Sequence, residues 1–278
     1  MDPSSSPLRV VEHSPSYWTV VIDNPPLNLF DPETHAALRL VLDRAEENDK
    51  LRVLVVESAV EGYFIAHFDM VRGREVPDIP GAAPITEWAQ TVHRLVEAPF
   101  ISIASVRGRA RGHGSKFVLA CDLRYASREM AVFGQPELGV GGIPGGGGLQ
   151  WLPLLVGRSR AIEIAVGGDD YDAETAERYG WITRAIPDAE LDSFVDAFAR
   201  RVAGFGRDQI ATIKKTLSPE RLVASAGGIL HAQQEFRRLI VTPESQERIT
   251  ALVARGFQQP GETEWHLGHE IAQVLERG

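Results

Sequence analysis

The first half of the chain alternates short apolar runs with segments whose apolar residues recur at helical spacing. Residues 17–23 and 52–57 are rich in β-branched and apolar side chains, which predicts a buried strand at each. Residues 100–106 show a similar pattern. Because the centre of residues 52–57 is continuously apolar, we expect a sheet that helices cover on both faces. This half therefore predicts an α/β fold.

Helical spacing continues through most of the remaining chain. Asp31-Pro32 begins one helix, because Asp is a preferred N-cap and Pro is favoured at the first helical position. Further helices are predicted at residues 85–97, 115–121, 149–156, 160–166, 173–179 and 191–203, and through most of residues 208–255. We divide the chain into a flexible N-terminal tail at residues 1–9, an α/β core at residues 10–205 and a helical C-terminal region at residues 206–278.

Composition and charge narrow the class of protein. With 278 residues, of which 44% are hydrophobic and 24% are charged, the chain has the composition of a globular protein with a large core. Its net charge of −9 repels nucleic acid, and no apolar run reaches the roughly 18–20 residues of a membrane helix. The single cysteine, Cys121, excludes an internal disulfide, and the first residues lack the pattern of a secretory signal. We therefore expect a cytoplasmic protein with neither a membrane nor a nucleic-acid partner.

Three glycine-containing stretches lie beside predicted strands, at residues 63–70, 106–116 and 133–148. Glycines in such places let the backbone approach a ligand or another segment closely. The second stretch leads from a strand through a turn into a helix near Gly114, where unpaired N–H groups can hold an anion or a developing oxyanion. The sequence lacks the fingerprints of P-loops, dinucleotide-binding folds and serine hydrolases.

The order of these motifs resembles that of the crotonase superfamily, which contains enoyl-CoA hydratases and isomerases. The matching segments are Asn-Pro-Pro-Leu-Asn at 24–28, Phe-Ile-Ala-His-Phe-Asp at 64–69, the glycine turn at 108–114, Ala-Cys-Asp-Leu at 120–123, Tyr-Ala-Ser at 125–127, Phe-Gly-Gln-Pro-Glu at 133–137 and Ile-Pro-Gly-Gly-Gly-Gly at 143–148. The resemblance implies a spiral ββα core and a helical C-terminal region that forms a homotrimer or a dimer of trimers. It also implies an acyl-CoA substrate, with no tightly bound cofactor and no metal ion.

The resemblance also implies an oxyanion hole. In this superfamily two main-chain N–H groups hold the thioester oxygen as it becomes an enolate, and by motif position these belong to Phe68 and His113. The α-proton of a thioester is weakly acidic, so fixed donors at the oxygen stabilise the charged state more than the ground state. The substrate-binding residues implied around them are Ala66, His67, Asp69, Met70, Gly112, Gly114, Pro136 and Gly145.

One catalytic position departs from the hydratase pattern. Hydratases of the superfamily use two glutamates; Glu137 matches one of them, and Lys116 stands at the position of the other. A lysine cannot serve as a carboxylate base, and we expect it to form an ion pair with Glu137. With Glu137 as the sole catalytic carboxylate, an isomerase or another single-base reaction is favoured over simple hydration.

Three further departures leave a second hypothesis open. His67 and His113 stand where the superfamily usually has glycine, and Trp151 stands where many relatives carry arginine. The sequence does not determine whether the side chains of His67, His113 and Lys116 face the pocket. The alternative is therefore a catalytically degraded, trimeric protein that binds acyl thioesters or serves as a scaffold.

Two charged features of the glycine turns have structural interpretations as well as functional ones. Arg107, Arg109 and Arg111 alternate along the second stretch, where a solvated or subunit-contacting face is favoured over a site for phosphate or RNA. Asp122 is expected to brace the turn that follows the helix, with no role as a base.

Overall fold

The computed structural model describes residues 6–72, 75, 78–79, 85–217 and 219–274. The strands, in chain order, are β1 (Leu8–Ser14), β2 (Tyr17–Ile22), β3 (Val53–Ser58), β4 (Tyr63–Ile65), β5 (Asp78–Ile79), β6 (Ile85–Thr86), β7 (Ile101–Val106), β8 (Arg109–Arg111), β9 (Leu123–Ser127), β10 (Val132–Gly134), β11 (Asp170–Asp172) and β12 (Arg184–Ile186).

The helices alternate with these strands and then dominate the end of the chain. They are α1 (Pro32–Glu47), α2 (Glu87–Glu97), α3 (His113–Ala120), α4 (Gly148–Val156), α5 (Arg158–Gly167), α6 (Ala173–Tyr179), α7 (Asp188–Ala203), α8 (Arg207–Leu217), α9 (Pro219–Ile240), α10 (Pro243–Ala254), α11 (Glu262–Trp265) and α12 (Leu267–Ala272), and a 3₁₀ helix spans Pro136–Val140. No helix in the described ranges has the length and apolar content that crossing a membrane requires.

The strands form two main sheets and one short hairpin. In the described part of the chain the large sheet has the order β1-β2-β3-β7-β9-β12, and the small sheet has the order β11-β10-β8-β4. β1 pairs antiparallel with β2, and the other pairs of the large sheet are parallel. β5 and β6 form the hairpin.

A repeated ββα unit relates the two sheets. A strand of the large sheet is followed by a short strand of the small sheet and then by a helix, as in β7, β8 and α3. The same order occurs in β3, β4 and α2, where the hairpin intervenes before the helix. The α/β class and the spiral ββα core expected from the sequence are therefore confirmed.

Helices cover the large sheet on both faces, as the apolar strand pattern predicted. One cluster of buried side chains packs α1, α2 and α3 against the sheet and includes Val20, Leu54 and Val56. A second cluster packs α7 against the opposite face through residues such as Val55 and Leu191. The alternate residues of a strand point to opposite faces, so both faces must be apolar.

The N-terminal boundary predicted from sequence is wrong. Leu8 and Arg9, assigned to a flexible tail, belong to β1 and pair with Ile22 and Val21. Leu8 is also buried in the core, so the sheet begins before residue 10. Residues 1–5 of the predicted tail lie outside the described residues.

The C-terminal helices fold back over the core of their own chain. α9 packs against α2 and α4, while α10 and α12 pack against the 3₁₀ helix. Buried apolar residues, including Val140, Leu252 and Ile271, hold this contact together. The C-terminal region thus closes over the glycine-containing segments of the core.

Candidate active site

A cavity of about 770 Å³ lies where the glycine-containing stretches meet the C-terminal helices. Of the residues predicted from sequence, His67, Phe68, Met70, Gly112, His113, Lys116, Pro136, Glu137 and Gly145 line it. The opposite wall is mostly apolar and comes from α9, α10 and α12 and the segments between them. It includes Phe236, Ile240, Ile249, Phe257, Leu267 and Ile271.

Three predicted substrate-binding residues lie outside this lining. Ala66 is fully buried in a small apolar cluster. The Asp69 carboxylate accepts hydrogen bonds from the Gln258 side chain and from two main-chain N–H groups, so it braces its turn. Gly114 lies against β4, where a Cβ atom would come within 2.2 Å of the Ile65 carbonyl oxygen. These three residues lie behind the residues that line the cavity and support them.

The direction of the Phe68 N–H is fixed by the peptide bond to which it belongs. The His67 carbonyl oxygen accepts a hydrogen bond from the Phe30 N–H at 2.9 Å. Because a trans peptide is planar, the Phe68 N–H points the opposite way, away from Phe30. This N–H donates to no other residue in the described part of the chain, and Phe68 lines the cavity.

The second predicted donor, the His113 N–H, lies at the N-terminus of α3. The Gly112 carbonyl oxygen accepts the first helical hydrogen bond, from the Lys116 N–H at 3.0 Å, so the His113 N–H points out of the helix. It has no acceptor among the described residues. Gly112 has φ +49°, and a Cβ atom there would lie 3.2 Å from Glu137 Oε1. Glycine is therefore required at the start of this helix.

Lys116 and Glu137 form a buried ion pair at the wall of the cavity. The Lys116 Nζ atom lies 2.7 Å from Glu137 Oε1, and the two side chains are 6% and 8% exposed. The ion pair predicted from sequence is confirmed. Both Glu137 oxygens are buried and neither makes a hydrogen bond to a described residue, so the lysine charge is what Oε1 meets. One carboxylate oxygen is thus held by lysine, and the other is uncommitted.

The His113 ring lies in an aromatic cage beside this pair. Its centroid is 4.1 Å from that of Trp88 and 4.8 Å from that of Phe68. The Trp88 indole is itself fixed, because its Nε1 donates to the Gly146 carbonyl oxygen at 2.8 Å. Burial, together with the charge of Lys116, holds the pKa of His113 well below its ordinary value. The ring is therefore neutral at neutral pH.

The His67 ring is buried and hydrogen-bonded at both nitrogens. Nδ1 lies 2.8 Å from the Phe68 carbonyl oxygen, and Nε2 lies 2.8 Å from Glu264 Oε1. Burial lowers the pKa of His67, but the charge and hydrogen bond of Glu264 outweigh that effect, so the pKa is raised. Since both partners are acceptors, the ring makes both hydrogen bonds only as an imidazolium, with both ring nitrogens donating.

The arginines of the second glycine-containing stretch are structural. Arg111 is fully buried, and its guanidinium binds both Asp170 carboxylate oxygens, at 2.7 and 2.6 Å, and the Glu264 carbonyl oxygen at 2.7 Å. The Arg109 guanidinium is also buried and stacks over the Trp265 ring at 3.3 Å. The expectation of a solvated or subunit-contacting face is thus wrong for both, since they anchor the C-terminal segment to β8.

The remaining singled-out residues also have structural roles. Arg107 is half-exposed and forms ion pairs with Asp188 and Asp192 on α7. Asp122 accepts hydrogen bonds from Ser102 and lies 2.8 Å from Lys214 Nζ, which confirms its bracing role. Trp151 is fully buried in the core. No group of His, Cys, Asp and Glu in the described residues is arranged to hold a metal ion.

Comparison with known proteins places most of the chain in one family. The family model described as enoyl-CoA hydratase/isomerase matches residues 13–258. The chain belongs to the enoyl-CoA hydratase/isomerase family. The family is part of the crotonase superfamily, so the resemblance seen in the motifs is confirmed.

Individual family members are similar over most of the chain. A "Probable enoyl-CoA hydratase, mitochondrial" of Dictyostelium discoideum is 29% identical over 225 residues, which cover 80% of this chain and 78% of the relative. A "Probable enoyl-CoA hydratase" of Rhizobium meliloti is 29% identical and covers 86% of this chain and 96% of the relative. The crystal structure of a "putative enoyl-CoA hydratase from Streptomyces avermitilis" is 35% identical, with a TM-score of 0.88 and 96% of each chain covered.

In and around this cavity, two groups were missed by the sequence analysis. Trp88 forms the aromatic cage around His113, and Glu264 pairs with His67. A tryptophan in a predicted helix carries no signal of cavity contact. Glu264 lies 197 residues from its partner, so no local pattern could have paired them.

Proposed function

We propose that this protein acts on an acyl-CoA thioester through an enolate held by the N–H groups of Phe68 and His113. Glu137 Oε2 takes the α-proton, and the electron pair of the C–H bond moves toward the thioester oxygen. The observation that carries the proposal is that Glu137, whose Oε2 lies outside the ion pair, lines one cavity with Phe68 and His113, whose main-chain N–H groups have no acceptor among the described residues. Losing one such donor typically costs about 3–4 kcal/mol of barrier.

A single-base reaction fits this arrangement better than hydration. In double-bond isomerisation, one carboxylate removes the α-proton and returns it to the γ-carbon, so Glu137 suffices. Hydration needs a second group to activate water, and Lys116 occupies that position with its ammonium bound to Glu137 Oε1. Lys116 therefore belongs to the proposed site as the group that orients the base.

The substrate class is proposed from the family and from the cavity wall. An acyl chain would lie against the apolar side chains of α9, α10 and α12, which form much of a cavity of about 770 Å³. Coenzyme A is the proposed carrier, and the proposed chemistry requires no tightly bound cofactor.

The test compares two reactions in wild type and in two variants, one of which is a control. We expect wild type to isomerise short 3-enoyl-CoA substrates faster than it hydrates 2-enoyl-CoA, and Glu137→Gln to lose at least about 100-fold of the rate. The exposed Glu262→Gln variant serves as the control for loss of one carboxylate. An unchanged rate in Glu137→Gln would remove Glu137 from the mechanism.

The Lys116–Glu137 ion pair also favours a second candidate, a protein that binds acyl thioesters without converting them. An engaged carboxylate is less available for proton transfer. Thermal unfolding with coenzyme A and acyl-CoA separates the two, because a ligand at 100 times its Kd adds about 2.7 kcal/mol of stability. Stabilisation by acyl-CoA without turnover would support this candidate, and turnover that depends on Glu137 would exclude it.

A further inference from the structure

The turn that carries Phe68 is tied to the C-terminal segment by a hydrogen-bonded chain that the proposed reaction does not use. Its central member is His67, which donates from Nδ1 to the Phe68 carbonyl oxygen and from Nε2 to Glu264 Oε1, both at 2.8 Å. The ring also stacks on Phe257, with centroids 4.6 Å apart and planes 20° apart. The imidazole is therefore held at its edges and on one face.

The same C-terminal segment, residues 257–265, makes a second set of hydrogen bonds with the turn at residues 67–70. Glu264 is 0% exposed, and its Oε1 also accepts from the Gln258 N–H at 2.7 Å. The Gln258 side chain in turn donates to Asp69 Oδ1 at 2.8 Å and accepts from the Met70 N–H at 3.1 Å. Arg111 holds the Glu264 carbonyl oxygen from β8. The segment is thus anchored to the core on one side and to the turn on the other.

These contacts restrict the orientation of the Phe68 N–H. The peptide before Phe68 is held by Phe30, whose N–H donates to the His67 carbonyl oxygen. The peptide after Phe68 is held by the His67 ring and by the Asp69 N–H, which donates to the Phe30 carbonyl oxygen at 3.2 Å. With both flanking peptides held, the backbone dihedral angles of Phe68 have little freedom.

We propose that His67 and Glu264 are a positioning pair, which fixes the direction of the Phe68 N–H through the Phe68 carbonyl oxygen. The inference rests on the proposed function, in which that N–H binds the enolate oxygen. The proposal depends on both ring nitrogens of His67 donating a hydrogen bond. A neutral imidazole has one N–H and keeps one of the two hydrogen bonds, whereas the imidazolium keeps both.

The charge of His67 depends on its surroundings. The titratable and charged groups around it are Glu264 on α11, Arg111 on β8, His113 and Lys116 on α3, Glu137 on the 3₁₀ helix and Asp69 on its own turn. Burial and the charge of Arg111 lower the pKa of His67, and the Glu264 carboxylate raises it. Without that carboxylate, His67 loses its proton at a lower pH.

The decisive variant is Glu264→Gln, which keeps the shape of the side chain and removes its charge. Its control is Glu262→Gln on the same short helix, where the side chain is 92% exposed. We expect Glu264→Gln to lower kcat on enoyl-CoA by about tenfold to 100-fold with a much smaller change in KM, because the oxyanion donor is misdirected. In wild type the rate falls as pH rises through the pKa of His67, and in Glu264→Gln that fall moves to lower pH.

A second measurement needs no turnover. We expect amide hydrogen exchange at residues 66–70 to rise at least about threefold in Glu264→Gln at neutral pH, while exchange in β7 and in the Glu262→Gln control stays unchanged. If Glu264→Gln does not fold, the double variant His67→Gln with Glu264→Gln replaces it, since it leaves no buried charge unpaired.

The two proposals fail in different ways. Suppose that Glu264→Gln raises amide exchange only at residues 66–70, and that the wild type converts no acyl-CoA. This result would contradict the proposed reaction and support the positioning pair. If Glu264→Gln matches the Glu262→Gln control both in amide exchange at residues 66–70 and in its pH profile, the positioning pair is overturned, whatever reaction the wild type performs.

Discussion

Lys116 and Glu137 are buried together at the cavity wall, and at the residue scale each depends on the other. Both side chains are less than a tenth exposed, so either charge without its partner would be poorly solvated. The side chain of His113, in the same cavity wall, is instead uncharged. Burial and the nearby ammonium leave its ring neutral, because no described carboxylate forms an ion pair with it.

Replacing Lys116 with methionine tests this dependence. We expect Lys116→Met to lower the free energy of unfolding by about 3–5 kcal/mol at neutral pH, because it leaves the Glu137 carboxylate buried without a counter-charge. Urea unfolding measures the change. Lys215→Met, on the exposed face of α8, is the matched control and should lie within about 0.5 kcal/mol of wild type. Equal stability of the two variants would contradict this account.

At the element scale, the junction between β8 and α3 turns a strand into a helix within one residue. Gly112 makes this possible with a positive φ, and its N–H donates to the Gly134 carbonyl oxygen at 2.9 Å. The short turn brings the start of α3 against β4 and places His113, the first residue of the helix, in the cavity wall. The geometry of one proposed oxyanion donor thus depends on one backbone conformation.

Alanine at this position is expected to disturb both stability and activity. The new Cβ atom in Gly112→Ala would meet Glu137 Oε1 at 3.2 Å in a backbone conformation that side chains disfavour. We expect a loss of about 1–3 kcal/mol in the free energy of unfolding, and a fall in kcat. Gly167→Ala is the control, because its Cβ atom would meet nothing within 4 Å. A kcat unchanged in Gly112→Ala would argue against a role for this turn.

The contact between the Phe68 turn and α11 should make stability depend on pH. Burial lowers the pKa of His67, but Glu264 raises it above its ordinary value of 6.5, so its stabilisation is complete below that pH and is lost as pH rises through the folded pKa. Burial raises the pKa of Glu264, but His67 lowers it below its ordinary value of 4.5, so that contribution is lost as pH falls through the folded pKa.

The pair therefore contributes most between pH 4.5 and 6.5. We expect the difference in unfolding free energy between wild type and Glu264→Gln to be largest in this window and to shrink on either side. Urea unfolding across pH 4 to 9 measures it, with Glu262→Gln as the reference. A difference that is constant with pH would mean that the ionised pair does not stabilise the fold.

At the scale of the whole molecule, the C-terminal helices act as the outer wall of the cavity. They contribute its apolar side, and through Arg109 and Arg111 they are anchored to the small sheet. Several apolar side chains on α8 and α10 remain exposed, including Ile213, Leu217 and Val253. Such side chains are available for contact with another subunit.

The predicted assembly is a homotrimer or a dimer of trimers. Light scattering after size-exclusion chromatography should therefore give three or six times the chain mass of 30.5 kDa. Ile213→Glu places a charge among the exposed apolar residues of α8, in the C-terminal region that is predicted to form the trimer, and is expected to reduce the mass. A wild-type mass of one or two chains would contradict the prediction.

The sequence by itself determined the α/β class, the covered sheet and the cap of α1. These follow from local patterns, since strand and helix periodicity, capping residues and glycine turns act over a few neighbouring positions. The predicted cap is confirmed by the Asp31 carboxylate, which accepts from the Thr34 N–H at 2.8 Å. The motifs sufficed to identify the family because each is a short run of residues, and their order along the chain is read directly from the sequence.

Only the tertiary structure decided which charges are buried and what they meet. Arg111 pairs with Asp170, and His67 pairs with Glu264, across separations of 59 and 197 residues. A polar residue carries no local sign of the partner that folding brings to it, so the arginines were predicted on an outer face and Glu264 was not noticed. Burial strengthens such contacts because water no longer competes for the charges, and it is the packing of distant segments that removes the water.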